Sequence, residues 1–313
     1  MTSVTGYAQS QDEFDQAFNR ISDLLKEYHQ LFTIYDRYDG INNLTTVNEL
    51  SGGIHKPVKV DRKIIDMLLF SKDMYSKTNG RVNIAMGSVL SIWHEYRQNG
   101  IENPSTAKLP TMDELTEAAK HTDIEKLIID EQASTVFLSD PEMLLDVGAI
   151  AKGYAVEQIA QTLIQSGITG YVLNVGGNVR AIGLRGDKTP WVAGIDDPNG
   201  TESSPYYATL ALEDRSLVTS GSYQRYYTVN GKDYNHIIDP DTLMPAERYI
   251  SVSILCESSA VADALSTALF CMSVEDGTAI LDSFGDVEAM WVSPDGDIQY
   301  SKGFSKYIQG DNT

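Results

Sequence analysis

The sequence predicts an α+β fold in which helices pack with mainly antiparallel sheets. Three observations carry this reading. Short runs with strand alternation are joined by turn residues, most clearly Tyr226–Val229 and Lys232–Ile238 around Asn230-Gly231, a strong type I′ hairpin signal. Segments with helical spacing come in blocks rather than alternating singly with strands. No linker interrupts the 313 residues, so a single domain over 1–313 is expected.

In chain order, Met1–Ala8 resembles the middle of a strand and lacks a signal peptide; the expectation is a mature domain whose export and anchoring segments have been trimmed. Residues 12–32 predict an amphipathic helix with the stripe Phe14, Phe18, Ile21, Leu25, Tyr28 and Phe32. Asp39-Gly40 marks a turn. A second helix over 61–77 ends at Asn79-Gly80, and Gly80 and Gly87 bracket a short extended piece. Residues 98–110 are polar and contain prolines, hence a surface loop; Thr111–Glu114 is a capping box opening a short helix. Lys126–Asp130 and Thr135–Leu138 predict a hairpin, and Glu142–Leu145 a buried strand.

A helix follows with Val156, Ile159, Ala160 and Leu163 on one face, up to Gly167. Gly170–Gly177 reads as a strand ending in a double glycine, continued by Asn178–Ile182. Trp191–Ile195 is a strand closed by a turn at Asp196–Gly200; Tyr207–Leu212 and Ser216–Ser222 are further strands. Ser251–Leu255 predicts a strand, Ser258–Met272 an apolar helix, 274–283 a shorter one, and Glu288–Val292 with Asp297–Tyr300 a closing hairpin around Pro294-Asp295-Gly296.

The formal net charge of −20 excludes a nucleic-acid partner, because no basic stripe exists to release counterions. It also opposes any anionic ligand unless local cations or a metal intervene. Hydrophobic content of 42% supports a proper core, and no run approaches the ~20 apolar residues of a membrane span. Cys271 reads as core and Cys256 as the end of a strand; no Cys/His metal pattern exists.

The stretch Asp146–Glu157 organises the chain. A carboxylate at a strand tip, flexible glycines and a helix start suit an anion such as a phosphate, with Lys152 as a point charge; the alternative is an ordinary strand-to-helix turn with a surface lysine. Asp263 and Thr267 lie four apart on one face of an apolar helix. A buried Asp there needs a partner: either a hard cation such as Mg²⁺ or the amides of a neighbouring loop. His236 suits phosphate donation or proton transfer, or a structural hydrogen bond, and Asp239 before Pro240 is equally a turn former.

Six pieces in order resemble the FAD:protein FMN transferases of the ApbE type. They are Asp146-Val-Gly-Ala-Ile-Ala-Lys-Gly-Tyr-Ala-Val156, Asn174-Val-Gly-Gly-Asn178, Thr219-Ser-Gly-Ser-Tyr-Gln-Arg225, His236-Ile-Ile-Asp-Pro-Asp-Thr242, Ala262-Asp-Ala-Leu-Ser-Thr-Ala-Leu269, and Tyr38 ten residues before Asn48. The resemblance covers nearly the whole chain and implies the ApbE-type, T-fold-like fold. It implies FAD contacts from Tyr38, Arg81, Val82, Asn83, Asp146, Lys152, His236 and Ile238, and Mg²⁺ on the Ala149 carbonyl with Asp263 and Thr267. A Thr or Ser hydroxyl of a partner flavoprotein would attack the FMN phosphorus and release AMP, with His236 or Asp239 assisting deprotonation. The chain has no acceptor sequence of the Asp-Gly-x-Thr-Gly-Ala-Thr kind, so the partner is another protein. The resemblance further implies an extracytoplasmic lipoprotein, its only membrane association through an N-terminal anchor. The rival readings are a FAD pyrophosphatase and a non-catalytic flavin-binding lipoprotein module. Two positions depart from the family: Asn83 stands where Asp is usual, and Leu243 where Gly is favoured.

Overall fold

The computed structural model describes residues 2–52 and 54–309. In chain order these form β1 (Thr2–Gly6), α1 (Gln11–Phe32), α2 (Leu44–Val47), β2 (Val58–Lys59), α3 (Arg62–Lys77), α4 (Gly87–Glu102), α5 (Met112–Ala119), β3 (Leu127–Asp130), β4 (Thr135–Leu138) and α6 (Ala151–Gln165). There follow β5 (Tyr171–Val175), β6 (Asn178–Ile182), β7 (Trp191–Thr201), β8 (Ser204–Leu212), β9 (Ser216–Gly221), β10 (Tyr226–Val229), β11 (Lys232–Asn235), β12 (Ser251–Cys256), α7 (Ser259–Phe270), α8 (Val274–Leu281), β13 (Glu288–Val292) and β14 (Ile298–Tyr300). Every strand pair between these elements is antiparallel, as the α+β reading expects.

The elements sort into two compact units, each discontinuous in sequence. The first comprises Met1–Lys26, Lys152–Gly221 and Arg248–Thr313; the second Glu27–Ala151 and Ser222–Glu247. The boundaries fall inside α1 and at the head of α6, so no composition shift marks them in the sequence.

The first unit is built on a seven-stranded sheet in the order β1-β5-β6-β9-β12-β13-β14, with the β7–β8 hairpin beside it. β12 is buried along its whole length, and α7 packs across β9 and β12. Trp191, Leu210, Leu212, Leu217, Leu255, Met290, Val292 and Phe304 form one core cluster. The second unit holds the β2-β4-β3 sheet, the β10–β11 hairpin and helices α2 to α5. Its cluster gathers Met86, Val89, Trp93, Leu115, Tyr227, Val229 and Ile238.

Four local expectations are corrected. Met143 and Leu145 are buried, but 142–145 is not a strand. Its backbone is bonded by other means: the Asn48 side chain accepts from Leu145 N at 2.8 Å and donates to Leu145 O at 2.9 Å, while Leu144 O accepts from Gly87 N. Gly87 is required there, because a Cβ would fall closer than 3.0 Å to Leu144 O.

β6 does not continue β5. Gly176 and Gly177 both take positive φ, and the chain reverses so that Val175 pairs with Asn178. The segment between Gly80 and Gly87 contains a 3₁₀ turn over Ile84–Met86, and α4 then runs through Glu102 into the expected loop. Asp196–Gly200 belongs to β7, which pairs with β8 through register shifts rather than turning. The other helices and hairpins follow the sequence reading. The capping box on α5 is made in full, and Asn230 and Gly231 adopt the positive φ of a type I′ turn.

Candidate functional site

In the first unit the chemistry gathers on the buried face of α7. Ser258 caps this helix, its hydroxyl accepting from Val261 N, and ten of the twelve helical residues are buried. Asp263 is among them, 4% exposed. Its carboxylate accepts from the backbone N–H of Gly153 at 2.7 Å through Oδ2 and from Lys152 Nζ at 3.1 Å through Oδ1. A Cβ on Gly153 would fall closer than 3.0 Å to Ser259 O, Asp263 Cβ and Asn178 Nδ2, so only glycine lets α6 approach α7 this closely.

Lys152 also donates to Asn178 Oδ1, and its side chain is about one-third exposed. Asn178 is buried, and its Nδ2 has no hydrogen-bond partner among the described residues. One turn after Asp263, the Thr267 hydroxyl lies 3.5 Å from both Asp263 O and Ser220 Oγ. These are long contacts that leave the hydroxyl free to turn to a ligand.

Behind this cluster lies a buried ion pair that sequence reasoning missed. Glu157, one turn after Gly153 on α6, accepts from Arg180 Nε at 3.2 Å, Ser259 N at 2.8 Å and Gln161 Nε2 at 2.7 Å. It ties β6 and the first N–H of α7 to α6. A glutamate among Val156, Ile159 and Ala160 was the available signal.

In the second unit, Asp146 N donates to Ile84 O, and its Oδ1 accepts from Gly148 N at 2.8 Å. Burial pushes the Asp146 carboxyl above the usual range; the Gly148 N–H and the charges of His94 and Arg97 oppose that shift. Around it, Arg97 donates to His94 Nδ1 at 2.9 Å, and the exposed Tyr35 ring lies 5.7 Å from the His94 ring. Ala149 occupies the turn between Asp146 and α6.

His236 is held at both ends of one carbonyl: its backbone N and its Nδ1, at 3.1 and 3.2 Å, face Arg225 O. A carbonyl only accepts, so Nδ1 is the donor in this contact. Asp239 is buried, accepts from Asp241 N at 2.8 Å and faces Arg81 Nη1 at 3.5 Å; Arg81 also pairs with Asp241 at 2.5 Å. Ile238 is buried and bridges Pro245.

Val82 is buried, its N–H on the Thr78 hydroxyl. Asn83 uses both ends of its amide: Oδ1 caps the 3₁₀ turn through Ala85 N, and Nδ2 donates to Thr122 O at 2.8 Å. Tyr38 bridges Ile41 across the Asp39-Gly40 turn, its ring edge-on to His29. Tyr35 is 68% exposed and covers no core.

Among the described residues no group of three or more His, Cys, Asp or Glu side chains is placed to hold a metal ion. Asp263 and Thr267 nevertheless offer one carboxylate and one hydroxyl, oxygen donors of the kind a hard cation takes, and Lys152 is the cationic partner of that carboxylate in this structure.

The ApbE family model matches residues 2–291. The chain is 35% identical over 274 residues to the FAD:protein FMN transferase of Treponema pallidum, covering 83% of this chain and 73% of that protein. It is 30% identical over 281 residues to that of Klebsiella pneumoniae, covering 90% and 83%. Among solved structures, the ApbE protein of Thermotoga maritima superposes with a TM-score of 0.83 at 28% identity, covering 99% of this chain and 96% of that one. The flavin transferase ApbE of Vibrio cholerae gives 0.79 at 25%, covering 98% and 95%.

Proposed function

The chain belongs to the ApbE family, and from that premise we propose that it is a FAD:protein FMN transferase that moves FMN from FAD to a Thr or Ser hydroxyl of a partner flavoprotein, with Mg²⁺ at Asp263. The observation that carries the proposal is Asp263 itself. It is a carboxylate on an apolar helix, 4% exposed, whose two oxygens are turned to Lys152 and to the amide of Gly153. Burying that charge is unfavourable without cationic partners, and the Thr267 hydroxyl one turn away makes only long contacts, at 3.5 Å.

Asp263 and Thr267 would hold the cation, which would neutralise charge on the pyrophosphate as its bond breaks. With one protein carboxylate at the seat, a bound cation would take substrate phosphates as further ligands, the usual habit of Mg²⁺. Tyr38, Arg81, Val82, Asn83, Asp146, Lys152, His236 and Ile238 are the proposed FAD contacts. The acceptor oxygen attacks the FMN phosphorus, the bond to the bridging oxygen breaks, and AMP departs with that electron pair. His236 or Asp239 would take the hydroxyl proton; Asp239 is held by its own turn and by Arg81, and His236 by the Arg225 carbonyl. An extracytoplasmic site of action, through a lipid anchor, is part of the same proposal.

The test is mass spectrometry of an Asp-Gly-x-Thr-Gly-Ala-Thr peptide incubated with the protein, FAD and Mg²⁺. An FMN-sized gain on the threonine, lost with EDTA and with Asp263→Asn, is expected. Free FMN and AMP without an adduct would replace the transferase by a pyrophosphatase. FAD binding without any product would leave only a flavin-binding module.

A further inference from the structure

We propose that Lys152 is a placeholder cation: without nucleotide its ammonium sits on the Asp263 carboxylate, the incoming divalent ion displaces it, and Asn178 is the positioning residue that receives it. Granted the cation site proposed above, on which this rests, three features point this way. Lys152 Nζ lies 3.1 Å from Asp263 Oδ1, on the oxygen that the Gly153 amide leaves open. A divalent ion on that oxygen cannot coexist with an ammonium on the same lone pairs. The displaced group has a second partner within its present reach, because Lys152 is already shared with Asn178 Oδ1.

Asn178 is built for that part. It is 1% exposed, yet its Nδ2 has no hydrogen-bond partner among the described residues. Gly153 is what leaves room for this amide, since a Cβ there would lie 2.9 Å from Nδ2. Its orientation is fixed by Lys152, because an ammonium needs the oxygen rather than the NH₂. The unsatisfied nitrogen is a cost that a purely structural residue would avoid. Freed from Asp263 and still leaning on Asn178, the ammonium is available as a point charge for a substrate phosphate. The carboxylate is thus never left buried without a cation, and the empty enzyme discriminates against loading metal without nucleotide.

The test uses Mn²⁺ as the probe, titrated by electron paramagnetic resonance into the full chain without FAD. Lys152→Met is expected to bind Mn²⁺ on the order of five- to tenfold more tightly than the parent, the size of a partly exposed ion pair. Lys152→Gln should do the same. Unchanged or weaker binding in both variants overturns the placeholder role. Asp263→Asn separates this from the metal site itself: if it leaves Mn²⁺ binding intact, the cation site is wrong; if it abolishes binding while Lys152→Met tightens nothing, only the placeholder fails.

Amine acylation gives a readout that mere charge repulsion would not move. Mg²⁺ at saturating concentration should raise the labelling of Lys152 severalfold relative to the exposed Lys77. No rise in labelling overturns the displacement.

Discussion

Replacing Gly153 by alanine tests how the site is assembled. The new methyl carbon would fall closer than 3.0 Å to a backbone carbonyl, Ser259 O, and to Asp263 Cβ, neither of which is the tip of a flexible side chain. Carbon needs roughly 3.5 Å, so α6 and α7 must separate by on the order of 1 Å. Overpacking of this kind costs about 1–3 kcal/mol, while alanine in a helix recovers about 0.5–1 kcal/mol over glycine. The net loss of stability is then about 0–2.5 kcal/mol, a fall in Tm of up to roughly 10 °C for a unit of this size. Activity should fall much further, since a misplacement of about 1 Å at a reacting centre costs about 100-fold. Calorimetry and FMN transfer, measured on the same preparation, read the two effects separately. Gly277→Ala on α8 serves as the control: its Cβ would meet Leu269 and Trp291 side chains at 3.2 and 3.3 Å, and activity should persist. A Gly153→Ala protein with parental Tm and parental turnover would refute the account of α6 seating Asp263.

Three further outcomes follow from the geometry. Asn83→Asp removes the donor to Thr122 O and sets an anion against that carbonyl, so chemical denaturation should show a loss of about 1–3 kcal/mol. Asp146 carries a raised native pKa, so its contribution to stability is fully present below the unfolded value of about 3.9 and is lost as pH rises through the native value; the Tm advantage of Asp146→Asn over the parent should be largest at neutral pH and shrink on acidification. The Cys256 thiol is buried and pushed up to about 12, so it should resist iodoacetamide at pH 8 in the native protein and react in urea; rapid native labelling of Cys256 would contradict its burial.

The sequence carried most of the local structure because the deciding signals are local: the capping box at Thr111, the Asn230-Gly231 turn and the stripe of α1 each act within a few residues. Even so, Phe18 of that stripe is 43% exposed, whereas Ala17 and Leu31 are buried, so spacing located the helix better than it located its inner face. Failures came where a distant group decides. Residues 142–145 look like a strand, yet their partner is the side chain of Asn48, 97 residues away from Leu145. The reversal at Gly176-Gly177 rests on two positive φ angles that apolar pattern cannot register, since β5 and β6 read alike on either side. The candidate site was legible as residue types, Asp263 with Thr267 and Lys152 with Gly153. Its supports were not, because Asn178, Glu157 and Arg180 acquire meaning only through contacts 23 to 102 residues distant in sequence.

The two departures from the family pattern show the same dependence on distant partners. Leu243 takes φ +60, the left-handed region, which costs a non-glycine residue about 1–2 kcal/mol. Its carbonyl accepts from Trp93 Nε1 at 2.9 Å, its N–H donates to Asp239 O at 2.8 Å, and its side chain packs on the cluster around Trp93 and Ile238. A glycine would relieve the strain but lose that packing and loosen the unfolded chain. Asn83 likewise exchanges a carboxylate for a donor that Thr122 O uses. Both residues are used by this fold: Leu243 ties the Asp239 turn to Trp93, and Asn83, itself a proposed flavin contact, caps the 3₁₀ turn through Ala85 N. The Asp239–Leu243 turn carries both carboxylates that face Arg81, Asp239 and Asp241, so the Leu243 contacts hold that pair in place.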